Sequence, residues 1–207
     1  HLIFSEGFRM TNNRRYIKRI FDLLTASLGL VLSIPYLLII PVLIKLDSKG
    51  PVFFRQKRVG EGEKNFTLYK FRTMVEGAEK GSGPVWSQTG DNRITRTGKF
   101  LRKTRIDEVP QLFNVIRGDM SFIGPRPERP FFVESLKKQI PYYSERHYIK
   151  PGVTGWAQVK YEYGDSIEDA IEKLRYDLYY LKYQSVVLDL LIILNTMKVV
   201  FQGWGGR

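Results

Sequence analysis

The run Arg102-Lys103-Thr104-Arg105-Ile106-Asp107-Glu108-Val109-Pro110 brings two carboxylates next to a dense set of cations. A helix is expected from Asp107 to Ile116, with Asp107 as its cap. Pro110 then falls in the first turn, where a missing N–H is tolerated. At such a position the helix dipole and free N–H groups favour ionised acids. An ionised carboxylate framed by cations is a competent nucleophile toward phosphorus, and its neighbour can hold Mg²⁺. A capping acid beside a solvated basic face has the same signature. Gly124-Pro125-Arg126-Pro127 is a turn that presents one guanidinium between two prolines. Its planar fork matches phosphate oxygens and has little freedom left to lose, though a salt-bridged surface arginine would read the same way. Pro151-Gly152-Val153-Thr154-Gly155-Trp156 is a second turn, whose tryptophan suits a nucleobase, a membrane interface or a packed core. Gly60 and Gly62 lie between two strand-like runs and lack the helix that a dinucleotide fingerprint requires. His147 has no metal partner in view and reads as structural. Asp177, among Tyr176, Tyr179 and Tyr180, reads as an ordinary helix-surface acid.

Composition narrows the chemistry further. The 207 residues contain no cysteine and two histidines, His1 and His147. Disulfides, thiolate metal sites and cysteine nucleophiles are therefore excluded, and a histidine-rich zinc site has too few ligands. Carboxylates, Lys/Arg and hydroxyls are what remain. With 43% hydrophobic residues the chain has material for a core, and 33 Lys+Arg against 21 Asp+Glu give a net charge of +12. That balance points to an anionic partner: nucleic acid, anionic lipid or a phosphorylated substrate. A first residue of His rather than Met suits a fragment of a longer chain.

The elements that position these groups begin with an uncharged stretch of 22 residues, from Leu23 to Ile44. A membrane-spanning helix needs about 20 such residues. Pro35 and Pro41 interrupt it, and the arm before Pro35 reaches only about 18 Å at about 1.5 Å per residue. Basic residues flank both ends: Arg9, Arg14, Arg15, Lys18 and Arg19 before, and Lys45, Lys49, Arg55, Lys57 and Arg58 after. Positive charge marks the cytoplasmic side, so a helix that enters, breaks near Ser33-Ile34-Pro35 and returns satisfies both flanks. A kinked spanning helix and a buried core helix are the alternatives. Beyond it, Val52–Val59 and Phe66–Met74 read as a hairpin, with Lys70 and Arg72 on one face of the second strand. Residues 77–92 form a long polar loop, suited to a lid or to disorder. Helices are expected over 131–139, over 166–183 from an Asp165/Ser166 cap, and over 186–201, the last packed or interfacial.

The blocks KRIFDLLTASLGLVLSIP, GPVFFRQKRVG, YKFRTM, RKTRIDEVPQLFNVIRGDMSFIGPRP and KPGVTGWAQV resemble, in order, the bacterial sugar transferase family of monotopic phosphoglycosyl transferases. The C-terminal portion is most similar to exopolysaccharide-initiating members. The resemblance covers residues 17–201 and implies an α+β fold, mainly helical with a small β-hairpin. It divides the chain into a basic juxtamembrane segment (1–20), a re-entrant membrane helix (21–46) and a cytoplasmic catalytic domain with interfacial helices (47–207). It also implies a reaction: a sugar-1-phosphate moves from a UDP-sugar to undecaprenyl phosphate with release of UMP. Catalysis would fall on Asp107 as nucleophile and Glu108, the two acids also being the candidate Mg²⁺ ligands. Lys70, Arg72, Arg102, Arg126 and Asp177 are the candidate substrate-binding positions. The membrane break falls on Ser33 and Pro35, with one residue between them where the family commonly has Ser-Pro. The expected location is the cytoplasmic face of the bacterial inner membrane, against anionic phospholipid. A homodimer is left open. A nucleic-acid-binding module would leave the uncharged segment unexplained and shows no motif, so no nucleic-acid partner is expected. A non-catalytic membrane scaffold would require Asp107 and Glu108 to tolerate alanine.

Overall fold

In the computed structural model the uncharged stretch is two helices, not one. The structure describes residues 12–78, 91–161, 164 and 166–201. Residues 79–90 of the polar loop, Arg9 of the first basic flank and Asp165 of the expected helix cap lie outside the described residues. Helix α1 spans Asn12–Leu32 and α2 spans Ile34–Asp47, and the pair is bent by 58° at Ser33. Pro35 sits in the first turn of α2, where its missing N–H has no helical partner to lose. The Ser33 N–H still donates to Gly29 and Leu30, its side chain makes no capping bond, and Pro41 lies inside α2 without ending it. Among the described residues no single helix is long and apolar enough to cross a membrane; the bent pair matches a broken span or a re-entrant loop in length and composition only. Leu24, Leu28, Val31, Leu32, Leu38 and Val42 are all exposed along it. The described part of the basic segment, from Asn12, is the start of α1 itself. Arg19 donates to the carbonyls of Val115 and Ile116 at 2.6 and 2.7 Å and so fastens α1 to the body.

Strands β1 (Phe53–Val59) and β2 (Asn65–Phe71) form the expected antiparallel hairpin, with Phe54 opposite Lys70. Helices α3 (Arg96–Thr104) and α4 (Gln111–Arg117) follow, then strand β3 (Ser121–Ile123) and helix α5 (Pro130–Gln139). Strand β4 (Gly152–Thr154) pairs in parallel with β3, and α6 (Trp156–Lys160), α7 (Ile167–Tyr183) and α8 (Val186–Phe201) complete the order. Ser166 and Asp169 cap the start of α7 reciprocally.

The two proline-glycine turns of the sequence are partners. Gly124 N–H donates to the Thr154 carbonyl and Gly152 N–H to the Pro125 carbonyl, both at 2.9 Å. A Cβ at Gly152 would lie 2.1 Å from the Gly124 nitrogen, so only glycine permits this approach. Trp156 is half-buried, stacked on Tyr179 with Lys160 above its ring, and packs beside the cluster of Ile123, Tyr180 and Ile192. A separate cluster of Ile40, Ile44, Phe71 and Leu101 joins α2 to β2 and α3.

Candidate active site

Asp107 does not cap a helix. Ile106–Glu108 form one 3₁₀ turn between α3 and α4, entered through Arg105 at φ 60°, and Pro110 is the cap position of α4. The helix therefore starts three to four residues later than expected. The left-handed Arg105 ends α3 and turns the chain, and Pro110 cannot donate into a preceding turn. The acids consequently owe little to a helix dipole. Their environment is set by what packs around the turn.

Two contacts set the turn against the hairpin. Asn114 on α4 is fully buried; its amide donates to the Thr67 carbonyl at 2.7 Å, and its oxygen accepts from Tyr69 N–H at 3.1 Å. Gly98 lets α3 press on the chain just after β2, since a Cβ there would meet the Thr73 carbonyl at 2.0 Å. Lys70 on β2 is thereby carried to the acids, 2.6 Å from Glu108 Oε1 and 3.9 Å from Asp107 Oδ2. Arg126 Nη2 reaches the same Glu108 oxygen at 3.4 Å and Arg105 Nη1 at 3.9 Å.

This asymmetry separates the two carboxyls. Burial alone would raise both. Around Glu108 the charges of Lys70, Arg126 and Arg105 outweigh burial and hold it well below the usual carboxylate range. Asp107 is also buried and lies beside the Glu108 charge, which Lys70 at 3.9 Å, Arg105 and Arg102 do not fully offset, so its proton affinity is raised. The sequence reading held both acids ionised through a helix terminus; the structure holds Glu108 ionised through cations and leaves Asp107 the more basic oxygen. Burial lowers the Lys70 ammonium despite its two acids.

The other expected binding residues divide. Arg102 lines the cleft over the acids and donates from Nε to Thr73 Oγ1 at 2.9 Å. Arg72 follows the end of β2, and its guanidinium donates to the carbonyls of Lys49 and Ser48, both at 2.8 Å. It ties the link after α2 to the hairpin. Asp177 is 2% exposed on α7 and is not a surface acid. It accepts from Arg146, at 2.7 Å from Nη2 and 3.0 Å from Nε. Arg146 in turn donates to the Arg126 carbonyl at 3.0 Å and to the Tyr143 hydroxyl at 2.8 Å. Asp177 therefore braces the turn that aims Arg126. Arg146, Tyr143 and Asn114 escaped the sequence reading. Asn114 interrupts the apolar run Leu112–Ile116, whereas Tyr143 and Arg146 stand in the polar stretch Tyr142–Tyr148 and carry no local mark; their burial is a tertiary property. His147 is buried against Tyr143, as a structural residue would be.

Above the turn opens a cleft of about 1420 Å³, lined at its centre by Lys70, Arg102, Arg105, Asp107, Glu108 and Arg126. Ligand pockets for small molecules run to about 300–1,000 Å³, so this one has room for a large anionic substrate. Among the described residues no group of three or more His, Asp or Glu comes together to hold a metal by itself. The adjacent Asp107 and Glu108 suit a hard cation that takes one or two carboxylates and completes its shell with substrate phosphates.

Comparison with known proteins places this arrangement. Over 192 residues the chain is 47% identical to the UDP-N-acetylgalactosamine-undecaprenyl-phosphate N-acetylgalactosaminephosphotransferase of Aeromonas hydrophila, covering 93% of this chain and 45% of that protein. It is 41% identical to the UDP-glucose:undecaprenyl-phosphate glucose-1-phosphate transferase of Xanthomonas campestris pv. campestris, over 89% of this chain and 39% of the relative. An exopolysaccharide production protein of Rhizobium leguminosarum bv. phaseoli is 40% identical, with 87% and 93% covered. The chain thus spans less than half the length of the first two relatives. The profile of the bacterial sugar transferase family matches residues 13–203, and the chain belongs to that family.

Proposed function

We propose that the protein transfers a sugar-1-phosphate from a UDP-sugar to undecaprenyl phosphate, through a covalent intermediate on Asp107. The observation that carries this reading is the pair Asp107/Glu108 inside a ring of Lys70, Arg126 and Arg105. In the first step an Asp107 oxygen bonds to the β-phosphorus of the donor, the bond to the bridging oxygen breaks, and UMP leaves. In the second, a phosphate oxygen of the lipid attacks that phosphorus and frees the Asp107 carboxylate, yielding the polyprenyl diphosphate sugar. Glu108 Oε1 is engaged by Lys70, Arg126 and Arg105 and orients them, whereas Asp107 meets Lys70 only at 3.9 Å and is the carboxylate assigned the attack. Such chemistry depends on positioning and on charge placed where it develops. Glu108 and Asp107 would hold Mg²⁺, which would supply neutralisation of charge on the phosphoryl oxygens.

The lipid acceptor calls for a site at a membrane surface. The α1–α2 pair with its exposed leucines and two basic flanks supports a re-entrant anchor, with the catalytic body on the cytoplasmic face of the bacterial inner membrane and near anionic phospholipid. Both reactants are then met on one side.

The test is UMP release across a panel of UDP-sugars, including UDP-N-acetylgalactosamine and UDP-glucose, with undecaprenyl phosphate and Mg²⁺. The expected pattern is ping-pong, with a sugar-phosphate adduct seen by intact-protein mass when donor and Mg²⁺ are present alone. Intersecting double-reciprocal lines without an adduct would instead indicate direct attack by the lipid. Cysteines introduced at Asn12 and Lys138 should label from one face of sealed vesicles; opposite faces would mean that the bent pair spans.

A further inference from the structure

The turn that presents Arg126 to Glu108 contains two prolines, which bring no N–H of their own. It has few donors with which to brace itself, and its carbonyls are tied from outside. Pro125 accepts from Gly152 N–H on β4 at 2.9 Å, and Arg126 accepts from Arg146 Nη2 at 3.0 Å. Pro127 accepts from Arg58 Nη1 at 3.0 Å, and Glu128 accepts from Val59 N–H at 2.9 Å. Four successive carbonyls are thus satisfied, two of them by the end of β1.

Arg58 is itself held in place. Phe54 stands opposite Lys70, and Arg58 lies four positions further along β1, so Arg58 and Lys70 share one face of the hairpin. Its Nη2 donates to Gln56 Oε1 at 2.6 Å, and its Nη1 lies 3.5 Å from Glu128 Oε2. Arg58, Lys70, Arg126 and Pro127 border one small recess. The hairpin therefore reaches both cations: Lys70 it carries to Glu108 directly, and Arg126 it holds through Arg58 and the Pro127 carbonyl. Arg126 meets Glu108 at 3.4 Å, longer than the roughly 2.7–2.9 Å of a strong charged hydrogen bond. The backbone beneath the guanidinium sets its place more than that contact does.

We propose that Arg58 is a positioning residue for phosphate recognition: it locks the Pro127 carbonyl to the hairpin and so fixes the Arg126 guanidinium relative to Lys70. This rests on the transfer reading given above, in which Arg126 takes a donor phosphate. Substrate is touched by Arg126 and not by Arg58, whose Nη1 and Nη2 are both engaged inside the protein. Misplacing a substrate-holding group by about 1 Å costs up to about 10²-fold in rate, so a clamp on the turn bears on turnover without meeting the reacting atoms.

The experiment is a double-mutant cycle on the full chain in nanodiscs, read by UMP release from a UDP-sugar and by calorimetric affinity for UDP. Arg58→Met should lower kcat/KM for the donor by about tenfold and weaken UDP binding by a similar factor, with the protein folded. In an Arg126→Ala background the same substitution should cost less than about twofold, because the residue it acts through is gone. Additive losses would overturn the proposal and give Arg58 its own contact with substrate. An undiminished single variant would overturn it as well. Amide exchange is the readout that needs no turnover: Arg58→Met should speed exchange at Val59 and at Gly152, which donate to the turn from its two sides. Unchanged exchange at Gly152, or acceleration throughout the chain, would also overturn it. If Arg58→Met does not fold, Gln56→Leu takes its place in the cycle; it removes only the acceptor of Nη2 and should cost about threefold. Lys57→Met, an exposed cation on the other face of β1, serves as the control. A wild type that releases no UMP would count against the transfer reading, whereas exchange at Gly152 would still judge the clamp.

Discussion

Two clusters of buried charge differ in how their acids are satisfied. At the base of the bent pair, Lys18 lies 3.7 Å from Asp22 and 3.1 Å from Asp189. Asp22 also accepts from Ser121 Oγ and Phe122 N–H, both at 2.9 Å, and Asp189 accepts from the Tyr180 hydroxyl at 2.7 Å. Here neutral donors do much of the work, and the cluster ties α1, β3, α7 and α8 together. At the 3₁₀ turn the acids Asp107 and Glu108 meet Lys70, Arg105 and Arg126 with a cleft open above them. The first arrangement is what a structural joint requires, since buried acids need partners and neutral donors suffice. The second concentrates cations at an open surface, which favours an anionic ligand more than it favours the fold.

Substitutions can break or sharpen that contrast. Asp107→Asn keeps the shape of the turn and removes the proposed anionic nucleophile; transfer and adduct should fall together by at least about 10³-fold with folding intact. Retained adduct formation would move the nucleophile elsewhere. Asp177→Ala leaves Arg146 buried without its acid and should cost about 3–5 kcal/mol of stability, read by urea unfolding in detergent. Because Arg146 also holds the Arg126 carbonyl, the folded fraction should show a raised donor KM that Asp177→Glu partly restores. A stability loss with unchanged KM would confine the pair to the core.

Arg126→Lys retains the charge and loses the planar fork, so a drop of about 10–100-fold in kcat/KM is expected with no change in stability. Free substitution would show that a point charge is enough. Asp22→Asn retains an acceptor for Ser121 and Phe122 but gives up the charge facing Lys18. It should cost about 1–2 kcal/mol and leave the donor half-reaction unaffected. Equal losses of activity at Asp22 and Asp107 would erase the distinction between the two clusters.

A further effect concerns pH. Burial, aided by the adjacent Arg146, pushes the His147 imidazole down to about 4 from 6.5. The unfolded chain then takes up a proton that the folded one refuses. The contribution of neutral His147 is present above about pH 6.5 and is lost as pH falls toward 4, by up to about 3 kcal/mol. His147→Phe should match the wild type at pH 7.5 and exceed it at pH 5 in unfolding midpoint. Parallel curves would mean that His147 does not titrate across this window.

Local chemistry was readable along the chain wherever neighbours in sequence decide the outcome. Pro35 dictates a break, and the break stands at Ser33. The strand-like runs on either side of Gly60–Lys64 pair as a hairpin, although β2 ends at Phe71 and not at Met74, which bridges to Ile94 instead, and Ser166 starts α7. The boundary at Asp107 went astray because a left-handed residue, Arg105, is not a glycine and carries no mark in the sequence. Asp177 was placed on a surface because its partner, Arg146, is 31 positions away. The resemblance had already assigned a substrate role to it; the fold puts it behind Arg126.

The sequence by itself determined the reagents: no thiol, almost no imidazole, paired acids within a basic run, and an uncharged stretch broken by proline. Those are matters of composition and of backbone restriction, which need no third dimension. Only the tertiary structure decided which cation meets which oxygen. Lys70 reaches Glu108 across 38 positions and Asn114 fixes β2 across 45, so their pairing depends on how α3 and α4 pack on the hairpin. Burial then raises Asp107 while cations lower Glu108, and two acids of nearly identical chemistry become different groups because electrostatics depends on distance and solvent, not on order in the chain.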